Sequence, residues 1–357
     1  MIKALKNDID AGLRSFLKEI KPDFGLSRES AVIYEGIRDF AERDGKRIRP
    51  ILFILSYKGY TRRGKVSDKG LLRSSLSLEL LHDFLLAHDD VIDKSELRRG
   101  KPTLHHFFNS RFAMPVHNEL GCNLSIVAGD IIFALAVRAF LSLSEAPARQ
   151  RKALLNFTSS AASTGIGEFI DVVNNIKSID KISEKDVLLT YTMKTARYTF
   201  EGPLVTGALL AGAPEKEIKK LSELGLSLGL AFQIQDDLLD VFSSSERIGK
   251  PVLSDLSESK KTLLIWYTYK NLGSAERKIF KTLLEKKKKS HADLMKMKKM
   301  IIKSGAGKYC LKKTFTILKK SYSLCSSLGI KDKYRDILEH FIGQFFTKAE
   351  ALKDCIG

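Results

Sequence analysis

Proline is scarce, with 8 in 357 residues, which favours long uninterrupted helices over turn-rich β structure. Cysteine is scarcer still. Cys122, Cys310, Cys325 and Cys355 form no CxxC pair and sit at no metal-ligand spacing with histidine. That excludes a disulfide scaffold and fits reduced thiols in a cytosolic protein. No window of about 18 consecutive apolar residues occurs, so a membrane-spanning helix is not expected. The N-terminal MIKALKNDIDAGLRSFLKEI carries charge throughout; it lacks the apolar core of a secretory signal and reads as an amphipathic helix. Disorder and collagen-like repeats are excluded too, because 44% of residues are hydrophobic and 29% charged.

The formal net charge is +18, and residues 281–357 contribute +12 of it, from nineteen Lys and Arg against seven Asp and Glu. Aromatic residues do not interleave with the lysines of KKKKSHADLMKMKKM, as a base-stacking platform requires. The tail therefore reads as a solvated lysine-rich helix face rather than a nucleic-acid surface. Weak attraction to an acidic membrane surface is the alternative.

Apolar residues recur at three- and four-residue spacing through most of the chain. Helices are predicted at 28–43, 48–60, 68–94, 119–145, 149–176, 184–212, 215–243 and 258–272, with shorter basic helices from about 274. Loops are expected at Arg62–Asp68, Leu97–Pro115, Ala146–Arg149, Ile179–Ser183 and Ser243–Ser257. No alternating strand run and no internal linker stand out. The expected fold class is all-α, one domain over 1–357 with helices around a central cavity or core.

One internal similarity matters. HDDVIDKSELRRGKPTL at 88–104 is echoed by QDDLLDVFSSSERIGKPVL at 235–253, with Asp89 and Asp236 lying 147 residues apart. Residues i and i+4 of a helix share a face. Asp89 and Asp93 therefore point the same way with Asp90 about a quarter-turn round, and Asp236, Asp240 and Asp237 repeat the arrangement. Each triad ends an apolar stretch, LELLHDFLLAH or LGLSLGLAFQI. Carboxylates there are costly unless cations hold them, and hard oxygen ligands suit Mg²⁺ together with substrate phosphates.

Basic residues follow each triad: Arg98, Arg99 and Lys101 after the first, Lys250, Lys260 and Lys261 after the second. A third cluster, Gly45-Lys46-Arg47-Ile48-Arg49-Pro50, falls at a loop-to-helix start, where backbone N–H groups and cationic side chains favour phosphate. Lys194 and Thr195 interrupt the apolar YTMKTARYTF. Acidic triads among arginines and lysines fit a diphosphate bridged by Mg²⁺.

GKRIRP, ELLHDFLLAHDDVIDKSELRRGKPTLH, AGD at 128–130, MKT at 193–195, FQIQDDLLD and GKPVLSDLSESKKTL together resemble the trans-type isoprenyl diphosphate synthases of the polyprenyl synthetase family. The resemblance is strong over about residues 30–265 and weak in the tail. It implies an all-α bundle around a deep apolar pocket, a homodimer, a cytoplasmic location and about three Mg²⁺ per site. By motif, Asp89, Asp93 and Asp236 would be metal ligands, with Asp90, Asp237 and Asp240 beside them. Arg98, Lys194, Lys250 and Lys260 would hold an allylic diphosphate. Lys46, Arg49, His82 and Arg99 would hold isopentenyl diphosphate, and Thr195 and Gln233 would face the developing cation.

Product length follows from position. Leu85 and Phe84 lie four and five residues before Asp89, about one turn deeper along the same helix. A phenyl ring at 84 would floor the tunnel, and the resemblance to short-chain members favours a C20 product, then C15. The alternatives are a class I terpene cyclase, a head-to-head prenyl coupling enzyme, and a non-catalytic subunit of a synthase. A cyclase needs no isopentenyl diphosphate cluster and carries a different second metal motif. Non-catalytic subunits tend to lose aspartates, and all six are present here.

Overall fold

The computed structural model describes residues 1–25, 27–62, 68–243 and 253–356. Helices dominate. The one sheet among the described residues is a hairpin of two short strands, β1 (Leu97–Arg98) and β2 (Lys101–Pro102), paired antiparallel. The chain falls into two compact units, residues 1–154 with 206–212 and residues 155–205 with 213–357.

In the first unit, α1 (Ile2–Ile20) buries Ile9, Leu13, Phe16, Leu17 and Ile20, the three- and four-residue spacing of an amphipathic helix. Next comes α2 (Arg28–Glu42), capped where Ser27 accepts a bond from the Ser30 N–H. α3 (Ile48–Tyr60) is buried almost throughout, and α4 (Asp68–Ile92) carries the first aspartate motif at its C-terminal end. After the hairpin, α5 (Leu104–Arg111) leads to α6 (Glu119–Phe140). α4 packs most extensively against α6. A Cβ at Gly129 would lie 2.4 Å from His88 Nε2, so that contact depends on glycine beside the residue preceding Asp89. His88 Nε2 also lies 3.1 Å from the Ile126 carbonyl, tying the end of α4 to α6.

α6 is the one helix among the described residues long and apolar enough to cross a membrane by length and composition, and 39% of its most apolar window is buried. Asp130 and Arg138 interrupt it. Core helices of globular proteins pass the same test.

The second unit contains most of α7 (Pro147–Ile176), α8 (Glu184–Tyr191), a π-helical stretch Thr192–Glu201, the start of α9 (Gly202–Ala211), and α10 (Glu215–Phe242) with the second motif. A turn at Ser254–Ser257 precedes α11 (Leu263–Asn271), α12 (Ser274–Glu285), α13 (His291–Lys303), α14 (Ala306–Ser326) and α15 (Asp332–Ile356). α10 packs chiefly on the π stretch and α14. The basic tail is partly neutralised. Lys281, Lys286, Lys303, Lys313 and Lys320 pair with Asp180, Asp293, Glu276, Glu184 and Glu223, which agrees with a solvated lysine-rich face.

Four sequence expectations need correction. The loop expected at Leu97–Pro115 contains the hairpin and α5. The helix expected at 258–272 starts only at Leu263, because Thr262 caps it by accepting from the Ile265 N–H. The helices expected to reach 94 and 145 stop at Ile92 and Phe140.

Candidate active site

Each unit gathers its own set of sequence-predicted residues. In the first, Asp89 and Asp93 stand one turn apart and each brings a carboxylate oxygen to within 4.8 Å of the other. Both are half-exposed, whereas Asp90 is fully buried. Arg98, on β1, closes on that buried carboxylate: its Nε donates to Asp90 Oδ1 at 2.9 Å, its Nη2 donates to the same oxygen, and Nη2 also reaches Asp89 Oδ2 at 3.3 Å. Burial pushes the Asp90 carboxyl up to about 6, with Arg98 pulling the other way.

His82 lies seven residues before Asp89, two turns along the same face. Burial, then the neighbouring Arg49, Arg99, Arg98 and Arg47, hold its ring well below the usual histidine range. The imidazole is therefore neutral and contributes a hydrogen bond rather than a charge. Of the other cations expected to bind isopentenyl diphosphate, Lys46 is exposed and Arg49 and Arg99 are half-buried.

Sequence reasoning missed the frame beneath this cluster. Arg43 bonds Asp39 Oδ2 and donates to the carbonyls of Arg98 (3.2 Å) and Pro102 (2.9 Å), so it pins the hairpin that carries Arg98 and Arg99. Arg47, inside GKRIRP, is 2% exposed and bonds Asp10 and Glu79. No periodicity signals the Arg47 pairs, because their partners are far apart in the chain.

Asp83 was missed as well. It is fully buried, and neither carboxylate oxygen has a hydrogen-bond partner among the described residues. Burial, with Glu79 adding repulsion, pushes its carboxyl up to about 7 against the pull of Arg99, Arg47 and Arg49. An unfolded aspartate titrates near ~3.9, so the folded state binds this proton more tightly. Asp83 therefore subtracts stability as pH rises from about 4 to about 7. Asp83→Asn is expected to raise the melting temperature at pH 8 and change it little at pH 4.5, read by differential scanning fluorimetry. A lower melting temperature at pH 8 would mean that the carboxylate is ionised and held by the arginines.

In the second unit, the π-helical stretch presents MKT. π-helical turns are rare and concentrate at functional sites. This one is packed closely: a Cβ at Gly229 would lie 2.3 Å from Ala196 Cα, and one at Gly167 would lie 2.4 Å from the Lys194 backbone nitrogen. Lys194 Nζ pairs with Glu168 Oε2 at 2.7 Å and Asp171 Oδ2 at 2.9 Å. Thr195 Oγ1 donates to Gln233 Oε1 at 2.8 Å, and Gln233 Nε2 donates to Asp237 Oδ1 at 2.9 Å. The other Asp237 oxygen accepts from the Tyr191 hydroxyl, which itself accepts from the Leu263 N–H at 2.8 Å. Burial and the adjacent Asp255 push the Asp237 carboxyl upward.

The second aspartate of each triad thus plays a similar part. Asp90 and Asp237 are buried and bonded inward, whereas Asp236 is exposed and Asp89 and Asp93 are half-exposed. Asp240 is also occupied. It accepts from the Ser254 hydroxyl at 2.7 Å and from the Ser254 and Asp255 N–H groups at 3.1 and 3.2 Å, capping the Ser254–Ser257 turn. Asp255, which the sequence reading did not single out, is pushed up to about 7 by burial and then Asp240. Lys260 pairs with Glu258 at 2.7 Å. Lys250 lies outside the described residues.

Hard carboxylate oxygens one helical turn apart, beside donors able to grip a diphosphate, fit magnesium at Asp89 and Asp93. On α4, Phe84 is half-buried, its ring 4.8 Å from His88 and 5.1 Å from Phe133 of α6, and Leu85 is half-buried beside it.

Comparison with known proteins places these motifs in context. The profile of the family described as polyprenyl synthetase matches residues 30–301. A geranylgeranyl diphosphate synthase of Sulfolobus acidocaldarius is 32% identical over 302 residues, covering 83% of each chain. A geranylfarnesyl diphosphate synthase of Aeropyrum pernix is 31% identical, covering 74% of this chain and 78% of its own. The crystal structure of a Corynebacterium glutamicum geranylgeranyl pyrophosphate synthase, complexed with isoprenyl diphosphate and magnesium, superposes with a TM-score of 0.89 over 97% of this chain and 99% of that one, at 23% identity.

Proposed function

The chain belongs to the polyprenyl synthetase family, and from that membership we propose how its residues divide the work of condensing isopentenyl diphosphate head-to-tail with an allylic diphosphate. It is a prenyltransferase of the trans-isoprenyl diphosphate synthase type. The observation that carries the assignment of roles is the pairing of half-exposed Asp89 and Asp93 carboxylates beside Arg98, with Asp90 withdrawn into the protein to fix that arginine.

Asp89, Asp93 and Asp236 would hold magnesium, about three ions in all by the family resemblance. When bound, magnesium offsets the charge gathering on the departing pyrophosphate. Arg98, Lys194, Lys250 and Lys260 hold the allylic diphosphate. Lys46, Arg49, Arg99 and neutral His82 hold isopentenyl diphosphate. The allylic C1–O bond breaks and its electron pair leaves with pyrophosphate. Thr195 and Gln233 face the resulting carbocation, with the Gln233 amide oriented by its bonds to Thr195 and Asp237. The C3–C4 double bond of isopentenyl diphosphate then attacks C1. A proton leaves C2 of the former isopentenyl unit to the departing pyrophosphate, so no protein base is required.

The test is incubation with labelled isopentenyl diphosphate, magnesium, and dimethylallyl, geranyl or farnesyl diphosphate in turn. Label is expected in longer allylic diphosphates with release of pyrophosphate. Cyclised products formed without consuming isopentenyl diphosphate would overturn the reading. The product is C20, a length supported by Phe84 and by the name of the Sulfolobus relative; the Aeropyrum relative, at nearly equal identity, carries a different name, so overall identity does not set this length.

The working form is a homodimer. Supporting this, α6 exposes Ile126 and Val127, and α7 exposes Ile166, Phe169, Val172 and Ile176 at helical spacing, with Phe169 70% and Ile176 84% exposed. Such apolar stripes mark protein contacts. Phe169→Glu is expected to shift the sedimentation coefficient to that of a monomer; an unchanged dimer would place the interface elsewhere.

A further inference from the structure

We propose that Arg47 and Glu79 are positioning residues for isopentenyl diphosphate, forming a buried strut that turns Lys46 and Arg49 toward the ligand and sets the angle of Arg99. The proposal rests on the assignment of those three cations to that substrate. Arg47 stands between Lys46 and Arg49 in sequence and carries the same charge, yet it cannot touch a ligand. It is 2% exposed, and its N–H groups are spent inward. Nε donates to Asp10 Oδ1 at 2.7 Å and Nη1 to Glu79 Oε1 at 2.6 Å, while Nη2 donates to the carbonyls of Arg43 at 2.6 Å and Ala41 at 3.3 Å.

The backbone supports the same assignment. Arg47 has φ +49°, in the left-handed region, and so does Arg99 at +56°. A non-glycine residue persists there only where its surroundings over-determine it, commonly at a ligand site. At Arg47 the four inward bonds do this, and Lys46 is left exposed and Arg49 half-buried on either side.

Arg47 and Arg99 also converge on two of the same groups. Glu79 Oε1, bonded to Arg47, lies 3.8 Å from Arg99 Nη2, and the Arg43 carbonyl accepts from Arg47 Nη2 and from Arg99 Nη1 at 3.2 Å. A Cβ at Gly45 would lie 3.2 Å from Arg99 Nη2 and 3.3 Å from Arg47 Nη1, so glycine there admits both guanidinium groups. Glu79 is 1% exposed, bonds Arg47 directly and lies within ion-pair distance of Arg99. Removing Arg47 leaves that carboxylate to Arg99 alone and draws Arg99 inward, away from the substrate. Removing the Glu79 charge takes away the carboxylate that stands closest to both guanidinium groups and leaves their mutual repulsion less screened.

The experiment measures steady-state kinetics of the full-length enzyme, varying isopentenyl diphosphate at saturating farnesyl diphosphate and then the reverse. Variants are Arg47→Gln, Arg47→Lys, Glu79→Gln and Asp10→Asn. A lost charge-assisted hydrogen bond corresponds to roughly a tenfold or larger effect. KM for isopentenyl diphosphate is therefore expected to rise about tenfold or more in Arg47→Gln and Glu79→Gln. It should rise less in Asp10→Asn, and Arg47→Lys should recover part of the loss. KM for farnesyl diphosphate should stay within about twofold. A merely structural role would lower the active fraction, and hence kcat, without separating the two KM values. Equal rises in both KM values, or an unchanged isopentenyl diphosphate KM, overturns the proposal. If Arg47→Gln does not fold, the lysine variant and Asp10→Asn, at the partly exposed far end of the strut, decide by the same criterion. A wild-type chain that does not consume isopentenyl diphosphate overturns the functional reading itself, and this proposal with it.

Discussion

Asp89→Asn is expected to lower kcat by roughly a hundred- to a thousandfold, the loss typical when preorganised stabilisation of a developing charge is removed, while the fold stays intact. The substitution removes one charge from a half-exposed pair whose oxygens approach within 4.8 Å. Relief of repulsion between like charges offsets the weakened 3.3 Å contact with Arg98, so the apo chain is expected to be no less stable. The melting temperature should therefore hold or rise without magnesium, and the rise that magnesium gives the wild type should shrink, because a ligand that binds only the native state stabilises it by mass action. Asp93→Asn should behave alike. Asp90→Asn should not. Its carboxylate is buried and bonded by Arg98, so its neutralisation leaves Arg98 only the longer contact to Asp89 and should raise KM for the allylic substrate. Fluorimetry with and without magnesium, together with initial rates, separates the two classes. A kcat within tenfold of wild type for Asp89→Asn would remove the first motif from the chemistry.

That contrast marks how far the sequence can be read. Asp89, Asp93 and Asp236 were legible because carboxylates at the end of an apolar helix are anomalous without a cation. Which of the six stays accessible was not legible, because consecutive aspartates differ only by a hundred degrees of rotation. Asp90 and Asp237 are buried by what packs against that side: Arg98 for one, Tyr191 and Gln233 for the other. The Arg47–Glu79–Asp10 strut was hidden for a related reason, since its members come from three helices or their ends and share no local pattern. Helices such as α1, α3 and α10 announced themselves by spacing. α5 did not, because LHHFFNSR is eight residues long and Thr103 supplies no side-chain cap. The π-helical stretch at Thr192–Glu201 carries apolar residues that fit an α-helix equally well, so the sequence pattern does not distinguish the two.

Phe84→Ala is expected to lengthen the main product by at least one five-carbon unit, the largest change in specificity foreseen for a single substitution here. Phe84 lies five residues before Asp89, so its ring stands about 7.5 Å deeper along α4 at 1.5 Å per residue. A chain anchored by its diphosphate at Asp89 and Asp93 and growing down that helix meets this ring. Phe84 is buttressed by His88 at 4.8 Å and Phe133 at 5.1 Å, and aromatic pairs at such distances hold one another in place. The wall is therefore fixed rather than a side chain that swings aside. Truncation to alanine opens space at that level, and because the ring is only half-buried the stability cost should fall below the ~3–5 kcal/mol of a fully buried Phe→Ala change. Phe133→Ala, which removes the buttress but not the ring, should broaden the product distribution rather than shift it whole. Leu85→Ala tests the neighbouring position and should lengthen products less, since leucine presents a smaller obstacle than phenyl. Chromatography of the dephosphorylated products from a fixed farnesyl diphosphate primer reads all three. An unchanged chain length in Phe84→Ala would show that the growing prenyl chain does not run down α4 past this ring.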